Sequence, residues 1–424
     1  MPVRILCTGD IHIGRQASKT REWYRTASAW TALVELAIEE RVDVLAISGD
    51  VIDKAVSSYE SIGPLTAGLS KLGNAGIETV AVAGNHDYEV LPRVASYSGM
   101  ERFHLVGKGG AWERHIVVRD DRPILVVDGW SFPAEHVHAN PMDSYMVQSA
   151  SDVPVLGLLH ADLDAPASHY APASLSQFAG RRVDFWLLGH IHIPRLRSAP
   201  GPEPVLYPGS PWAMDPGESG AHGVWIVELE AGKLAAPRHL PISPVRYDKI
   251  AIDLAKVETE ADFQSTVVSA LQDKALSVIA EHGGDSLREL ILRIHYTGAT
   301  PAHQAIGAWA GRVQLEMSPF QVGTLEVVIE AWTSDVRPEV DLQDLARGTS
   351  PLAEAARLVL ALEQPNPNPV YEDLIARTTA RLGAVAGDQA FGSLDRDAPT
   401  RDTARALLVQ RGMTLISALI ETKG

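Results

Sequence analysis

The sequence predicts an α/β protein: a β-sandwich flanked by helices, then a small α/β domain and a helical C-terminal region. Three observations carry this. Short apolar, β-branched runs alternate with helical stretches through the first 190 residues. Two more strand-like runs follow before residue 230. A proline-rich stretch near residue 237 then breaks both periodicities, and what resumes is increasingly helical.

Taken in order, Val3–Cys7, Val42–Ser48 and Ile77–Ala83 have the length and branching of buried strands. Between them Thr26–Glu40 and Tyr59–Ala75 read as helices, the first with Ala29, Leu33, Leu36 and Ala37 on one face. Ile124–Val127, Val153–Leu159 and Phe185–Leu188 continue the strand pattern. Val205–Tyr207 and Val224–Leu229 are expected to form a second sheet turned back on the first. The stretch from Pro237 to Pro244 reads as a stiff connector. Beyond it, Ala261–His282 and His303–Arg312 read as helices and Leu290–Ile294 and Leu325–Ile329 as strands. From Val340 the chain reads as helical, and Thr403–Glu421 carries an apolar stripe of Leu407, Leu408, Leu415, Ile416, Leu419 and Ile420. That stripe either packs on its own chain or docks on a partner. The expected domains are 1–245, 246–337 (α/β) and 338–424 (helical, a region for partner binding).

Composition narrows the function. Residues 1–250 hold 22 basic and 29 acidic residues, a net −7, and the remainder hold 15 and 24, a net −9. Neither half is a basic nucleic-acid binder, so any DNA contact must be local or shared with a partner. No apolar run reaches the roughly 18 residues of a membrane helix, and no signal-peptide pattern opens the chain. One cysteine, Cys7, allows no internal disulfide, which fits a reducing compartment; a soluble, cytoplasmic protein is expected.

Histidine is the informative residue, with twelve of fifteen in the first 250 positions. Each predicted strand ends in metal-type donors: Asp10-Ile11-His12, Gly49-Asp50, Gly84-Asn85-His86-Asp87, His160, and Gly189-His190-Ile191-His192. Donors at strand ends converge on one rim. Asp-x-His and His-x-His on extended chain would each offer two donors on one face. The glycines before Asp50, Asn85 and His190 suit sharp turns or close backbone approach. A set of Asp, Asn and His without Cys excludes a structural thiolate site and suits Mn²⁺, Fe²⁺ or catalytic Zn²⁺. Seven donors are too many for one ion but suit two ions sharing a carboxylate, the usual device for in-line attack on a phosphate ester. The residues themselves therefore point to phosphoester hydrolysis.

These blocks, in which Asp50 follows Asp10 by 40 residues, Asn85 follows Asp50 by 35 and His190 follows His160 by 30, resemble the calcineurin-like metallophosphoesterase superfamily. A narrower resemblance rests on Asp10-Ile-His12-Ile-Gly14, Tyr170-Ala-Pro172, Asp184 to His192, and Tyr207-Pro-Gly-Ser210. These are similar to the SbcD-type DNA-repair exonucleases, most of all to their YhaO-like members, and to the nuclease subunit of eukaryotic repair complexes. The likeness covers about residues 1–250; the small domain after it resembles that family's capping domain only loosely.

The resemblance implies a metallophosphoesterase β-sandwich and two divalent ions, Mn²⁺ foremost. Asp10, His12, Asp50 and His192 would hold one ion; Asp50, Asn85, His160 and His190 would hold the other, with Asp50 bridging. A bridging hydroxide would attack phosphorus. His86 would assist the leaving oxygen, Asp87 would orient His86, and Asp53 would support the ligands from behind. Lys54-Ala55 follows Asp53 where the phosphoprotein phosphatases carry Arg-Gly, which favours a nuclease over a phosphatase. The resemblance also implies DNA as substrate, a coiled-coil SbcC-like ATPase partner and a homodimer. Arg15, Lys19, Arg21 and Arg25 form the best local basic lip for DNA. His136 and His138 read as surface residues despite their spacing. Two rival readings stay open: a phosphodiesterase or phosphatase of small molecules, and a non-catalytic scaffold that holds an ATPase on DNA.

Overall fold

A computed structural model of the chain describes residues 2–15, 24–53, 59–97, 99–146, 152–198, 204–230, 233–283, 286–364, 369–386 and 399–421. It forms two compact units. The first is Met1–Asp248 with Ser277–Ile291 and Gly323–Glu326; the second is Lys249–Leu276, Leu292–Val322 and Val327–Gly424.

The chain begins with β1 (Val3–Thr8), α1 (Thr26–Glu39), β2 (Val44–Ile47), α2 (Tyr59–Asn74), β3 (Glu78–Ala81), α3 (Leu91–Val94) and β4 (Phe103–Leu105). Next come β5 (Glu113–Arg119), β6 (Arg122–Trp130), β7 (Val155–His160), β8 (Phe185–Gly189), β9 (Arg195–Ser198) and β10 (Pro204–Tyr207). β11 (Gly223–Glu230), β12 (Lys233–Leu234) and β13 (Arg238–Pro241) follow. One sheet runs β12-β11-β1-β2-β3-β4 with β13 also on β11; the other runs β5-β6-β7-β8-β10-β9.

Alternation along the strands explains the layers. Ile5 and Cys7 of β1 meet Val127, Leu158 and Leu187 of the other sheet in a buried sandwich core. Leu6, one residue out of phase, faces Trp30 and Leu33 of α1 and joins a core with Leu65, Leu69 and Leu72 of α2. The outer face of the second sheet is covered by loop residues, with Trp186 and Leu188 packed among Phe132, Met142 and Phe178. Strands buried on both faces must be apolar nearly throughout, which is why β2 reads as an unbroken VLAI.

Two expectations need correction. Val224–Leu229 does not extend the second sheet; β11 pairs antiparallel with β1, Val3 opposite Leu229 and Cys7 opposite Trp225. The supposed stiff connector contains a strand, since β13 pairs antiparallel with β11 from Gly223↔Pro241 to Ile226↔Arg238. It lies off the main strand order, paired with β11, where a proline's missing donor costs little.

Farther on, β14 (Val245–Asp253), α4 (Glu260–His282), β15 (Glu289–Thr297), α5 (Ile306–Met317), β16 (Phe320–Val322) and β17 (Leu325–Ser334) give a sheet of order β14-β15-β17-β16. The chain ends with α6 (Leu342–Leu345), α7 (Pro351–Glu363), α8 (Pro369–Ala386) and α9 (Arg401–Glu421). The stripe on α9 is largely spent within its own chain. Ile416 is fully buried with Ala356 and Val359 of α7, and Leu419 and Ile420 pack on the same cluster. Gly412 permits this approach, because a Cβ there would lie 2.5 Å from Val359 Cγ2. Leu415 stays exposed. Among the described residues no helix is long and apolar enough to cross a membrane.

Candidate metal centre

β1, β2 and β3 run parallel, as do β7 and β8, so the donor-bearing segments leave corresponding strand ends. The two sheets meet there: His160 at the end of β7 places Nδ1 2.9 Å from the Ser48 carbonyl at the end of β2. Loops 9–13 and 49–53 run side by side, with Asp10 N–H donating to Gly49 O at 3.0 Å and His12 N–H to Asp50 O at 2.9 Å.

The paired donors are not brought together on extended chain as the spacing suggested. Asp10 (φ 50°), His12 (φ 48°), Asp50 (φ 52°) and His190 (φ 98°) all have positive φ. Side chains adopt this region at a cost of order 1 kcal/mol or more each, and such strain persists where the surroundings over-determine it. Gly84 shows how tight the packing is. A Cβ there would lie 2.2 Å from Asp50 Oδ1.

Five of the seven expected ligands, Asp10, His12, Asp50, His160 and His192, fall in clusters of three, and His86 joins one of these clusters with His12 and Asp50. Asp10, His12 and His192 bring donor atoms within 4.8 Å of one another, and so do Asp10, Asp50 and His160. His12 Nε2 and His192 Nε2 are 3.2 Å apart. Asp50 Oδ2 lies 3.4 Å from His160 Nε2 and 3.7 Å from His12 Nε2, between the two groups. Asn85 Oδ1 is 3.0 Å from His160 Nε2. The His190 ring centroid is 5.3 Å from that of His160, and the His190 backbone N–H donates to Asp10 Oδ1 at 3.0 Å. Asp10, His12, Asp50, Asn85 and His160 are buried.

Such a centre fits divalent cations. Asp10 and Asp50 are buried together, and the cationic partners of Asp50 are the weak bases His160, His12 and His86. Among the described residues, the buried nitrogens His12 Nδ1 and His86 Nδ1 have no hydrogen-bond partner. Burial pushes the Asp10 carboxyl up, against the pull of His192 and His160. Burial acts on Asp50 too, but His160, His12 and His86 outweigh it and hold that carboxyl low. Burial, reinforced by His160, drives His190 down to about 3, so its ring is neutral and able to ligate.

His86 is partly exposed, its side chain 34% accessible, with Nδ1 3.9 Å from Asp53 Oδ2. Burial lowers its pKa, with Asp50 opposing. Asp53 Oδ2 also lies 3.5 Å from His12 Nδ1. Asp87 does not orient His86 as expected. Its carboxylate accepts from Gly84 N–H at 2.8 Å and Val51 N–H at 2.6 Å, clamping the two donor loops together. The role implied by the resemblance is not met here, and the carboxylate facing His86 Nδ1 is that of Asp53. Burial, with Asp50 adding, pushes Asp87 up to about 7.

Glu218 went unnoticed in the sequence, where an acidic residue in a Gly/Pro-rich loop reads as solvated. It is 7% exposed, and its Oε1 lies 2.7 Å from His192 Nδ1. Burial opposes the Glu218 charge, but the His192 hydrogen bond outweighs it and holds the carboxyl low; burial would lower His192, and Glu218 and Asp10 raise it instead. Of the basic lip, Arg15 is half-buried and Arg25 exposed, whereas Lys19 and Arg21 fall outside the described residues. His136 and His138 are exposed.

Comparison with known proteins agrees with this geometry. The chain is 26% identical over 267 residues to the uncharacterized metallophosphoesterase YhaO of Bacillus subtilis, covering 62% of each. It is 27% identical over 259 residues to the DNA double-strand break repair protein Mre11 of Methanopyrus kandleri, covering 55% of each. To the D component of nuclease SbcCD from Rhodobacter capsulatus it is 27% identical over 291 residues, 57% of this chain and 69% of that one. The matched segments thus span less than two thirds of the first two relatives. The model of the calcineurin-like phosphoesterase family matches residues 3–194, from β1 to just past His192. Those residues are a calcineurin-like metallophosphoesterase domain.

Proposed function

We propose that this protein is a Mn²⁺-dependent phosphodiesterase that cleaves DNA ends, working as the nuclease subunit of an SbcCD-like assembly. The observation that carries the reading is Asp50, whose Oδ2 lies between His160 and His12 at 3.4 and 3.7 Å. One carboxylate so placed can serve two ions. Asp10, His12 and His192 would complete one site; Asn85, His160 and His190 would complete the other. When bound, the ions supply Lewis-acid polarisation of a phosphoryl oxygen and activation of water.

The chain's own residues do the rest. Ser48 O accepts from His160 Nδ1–H, which leaves His160 Nε2 as the free donor atom facing Asn85 and Asp50. His86 N–H donates to Asp50 Oδ1 at 2.9 Å, so the Asp50 carboxylate is tied to the loop that carries His86. With Nδ1 turned toward Asp53, the remaining nitrogen of His86 serves to deliver a proton to the leaving oxygen. Arg15, beside the donors in sequence, contributes to holding the phosphate backbone. DNA, a coiled-coil ATPase with its own nucleotide site and a second copy of the chain are the proposed partners, the first two in line with the nuclease relatives.

The test is a Mn²⁺-supplemented digestion of linear duplex, hairpin DNA, an aryl phosphodiester and an aryl phosphomonoester. Cleavage of duplex ends and of the diester, with little action on the monoester, supports the reading. Hydrolysis of the monoester alone would overturn it.

A further inference from the structure

Two of the clustered histidines are held by quite different partners. His160 leans on a neutral backbone carbonyl, Ser48 O, at 2.9 Å. His192 faces a buried carboxylate, with Glu218 Oε1 2.7 Å from its Nδ1. Glu218 is itself fixed at the other oxygen, where Oε2 accepts from Met214 N–H at 2.7 Å and from Ser210 Oγ–H at 3.2 Å. Its own N–H donates to Asp215 O at 2.8 Å. The same loop reaches the His192 backbone, since Ser210 N–H donates to His192 O at 2.9 Å. Behind it, buried His222 places Nδ1 3.0 Å from Ser210 Oγ. His192 is thus gripped at ring and backbone by one loop, residues 210–218.

This arrangement has a chemical consequence. A carboxylate that accepts from Nδ1–H commits the single proton of a neutral imidazole to that nitrogen. Nε2 then carries the lone pair, and it is Nε2 that points at His12 Nε2, 3.2 Å away. A carboxylate partner also makes the ring a stronger donor than a carbonyl partner does. We propose that Glu218 is a positioning residue for one of the two ions only, the one held by Asp10, His12 and His192, through its bond to His192. The proposal rests on the metal-centre reading above. It adds that the two ion positions are built with unequal support and separate on mutation.

The test uses the full chain and Mn²⁺ alone. Calorimetric titration of the wild type should show two ions bound. Glu218→Gln should weaken one of them about 10–100-fold and leave the other within about threefold. Ser210→Ala, which removes one of the hydrogen bonds to Glu218 but keeps the carboxylate, should move neither by more than about threefold. A second measurement needs no variant: in the metal-free wild type, nitrogen-15 spectra of the histidine rings should show His192 protonated at Nδ1. Equal weakening of both ions, unchanged binding of both, or a His192 protonated at Nε2 alone would overturn the role of Glu218 while leaving the metal centre standing. A wild type that binds no Mn²⁺ would overturn both.

Discussion

Adding one methyl group at Gly84 should separate the fold from the centre it carries. Gly84 lies in the loop after β3, one residue before Asn85. A Cβ there would sit 2.2 Å from Asp50 Oδ1, 2.8 Å from Asp50 Cγ and 2.8 Å from the Asp50 backbone nitrogen. Its φ lies outside the left-handed region, so the penalty of Gly84→Ala is steric and not conformational. Ordinary contact needs about 3.5 Å, so either Asp50 or the Asn85-His86 loop must retreat by roughly 1 Å. Retreat is resisted by His86 N–H on Asp50 Oδ1 and by Asp87 on both Gly84 and Val51. Overpacking of this kind costs about 1–3 kcal/mol, and a displacement near 1 Å at reacting groups costs about 10²-fold in rate. Gly311→Ala supplies the control. Gly311 lies in the middle of α5, and a methyl added there would meet nothing within 4 Å, so alanine should add about 0.5–1 kcal/mol of stability and leave turnover unchanged. Urea unfolding and Mn²⁺-dependent hydrolysis of an aryl phosphodiester read both quantities. A Gly84→Ala protein with wild-type stability and turnover would refute the claim that this loop is pinned against Asp50.

The other predictions concern single side chains. His86→Ala should keep both Mn²⁺ ions by elemental analysis while cutting diester turnover about 10²–10⁴-fold; loss of metal would make His86 a ligand. His239, in β13, is held down to about 4 by burial, with His222 and His282 adding to it. A histidine depressed in the folded state costs stability as pH falls below its unfolded value, so between about pH 6.5 and 4 it should remove roughly 1.4 kcal/mol per unit. His239→Phe should therefore flatten the dependence of the urea midpoint on pH in that window, and an unchanged slope would clear His239. Ile416→Ala should cost about 2–5 kcal/mol in the C-terminal helices, because the side chain is fully buried against α7. If it costs nothing there and instead abolishes ATPase co-purification, the stripe serves a partner after all.

The strand ends that carry donors were legible because each apolar run stops abruptly at Asp, Asn or His, and buried parallel strands tolerate little else. Edge strands were not. β5 and β13 are mostly half-buried or exposed, so neither shows the unbroken apolar run of a buried strand, and β13 also ends in Pro241. Glu218 was invisible for a similar reason, since nothing local marks a loop carboxylate as buried until the loop is seen folded onto His192. The terminal stripe showed that α9 needed a cover but not whose, and α7 supplies it. Least legible was the strain. Glycine at 49 and 84 announced crowding, yet nothing announced that Asp10, His12, Asp50 and His190 would take positive φ themselves. Strained backbone survives only where its surroundings hold it. Here the holders are β1, β2, β7 and β8, almost wholly buried, together with the hydrogen bonds between loops 9–13 and 49–53. The strain belongs to the sandwich and not to the donors. Exchanging a side chain at the centre such as His86 should thus alter chemistry and spare the fold, whereas a methyl driven between those loops should damage both.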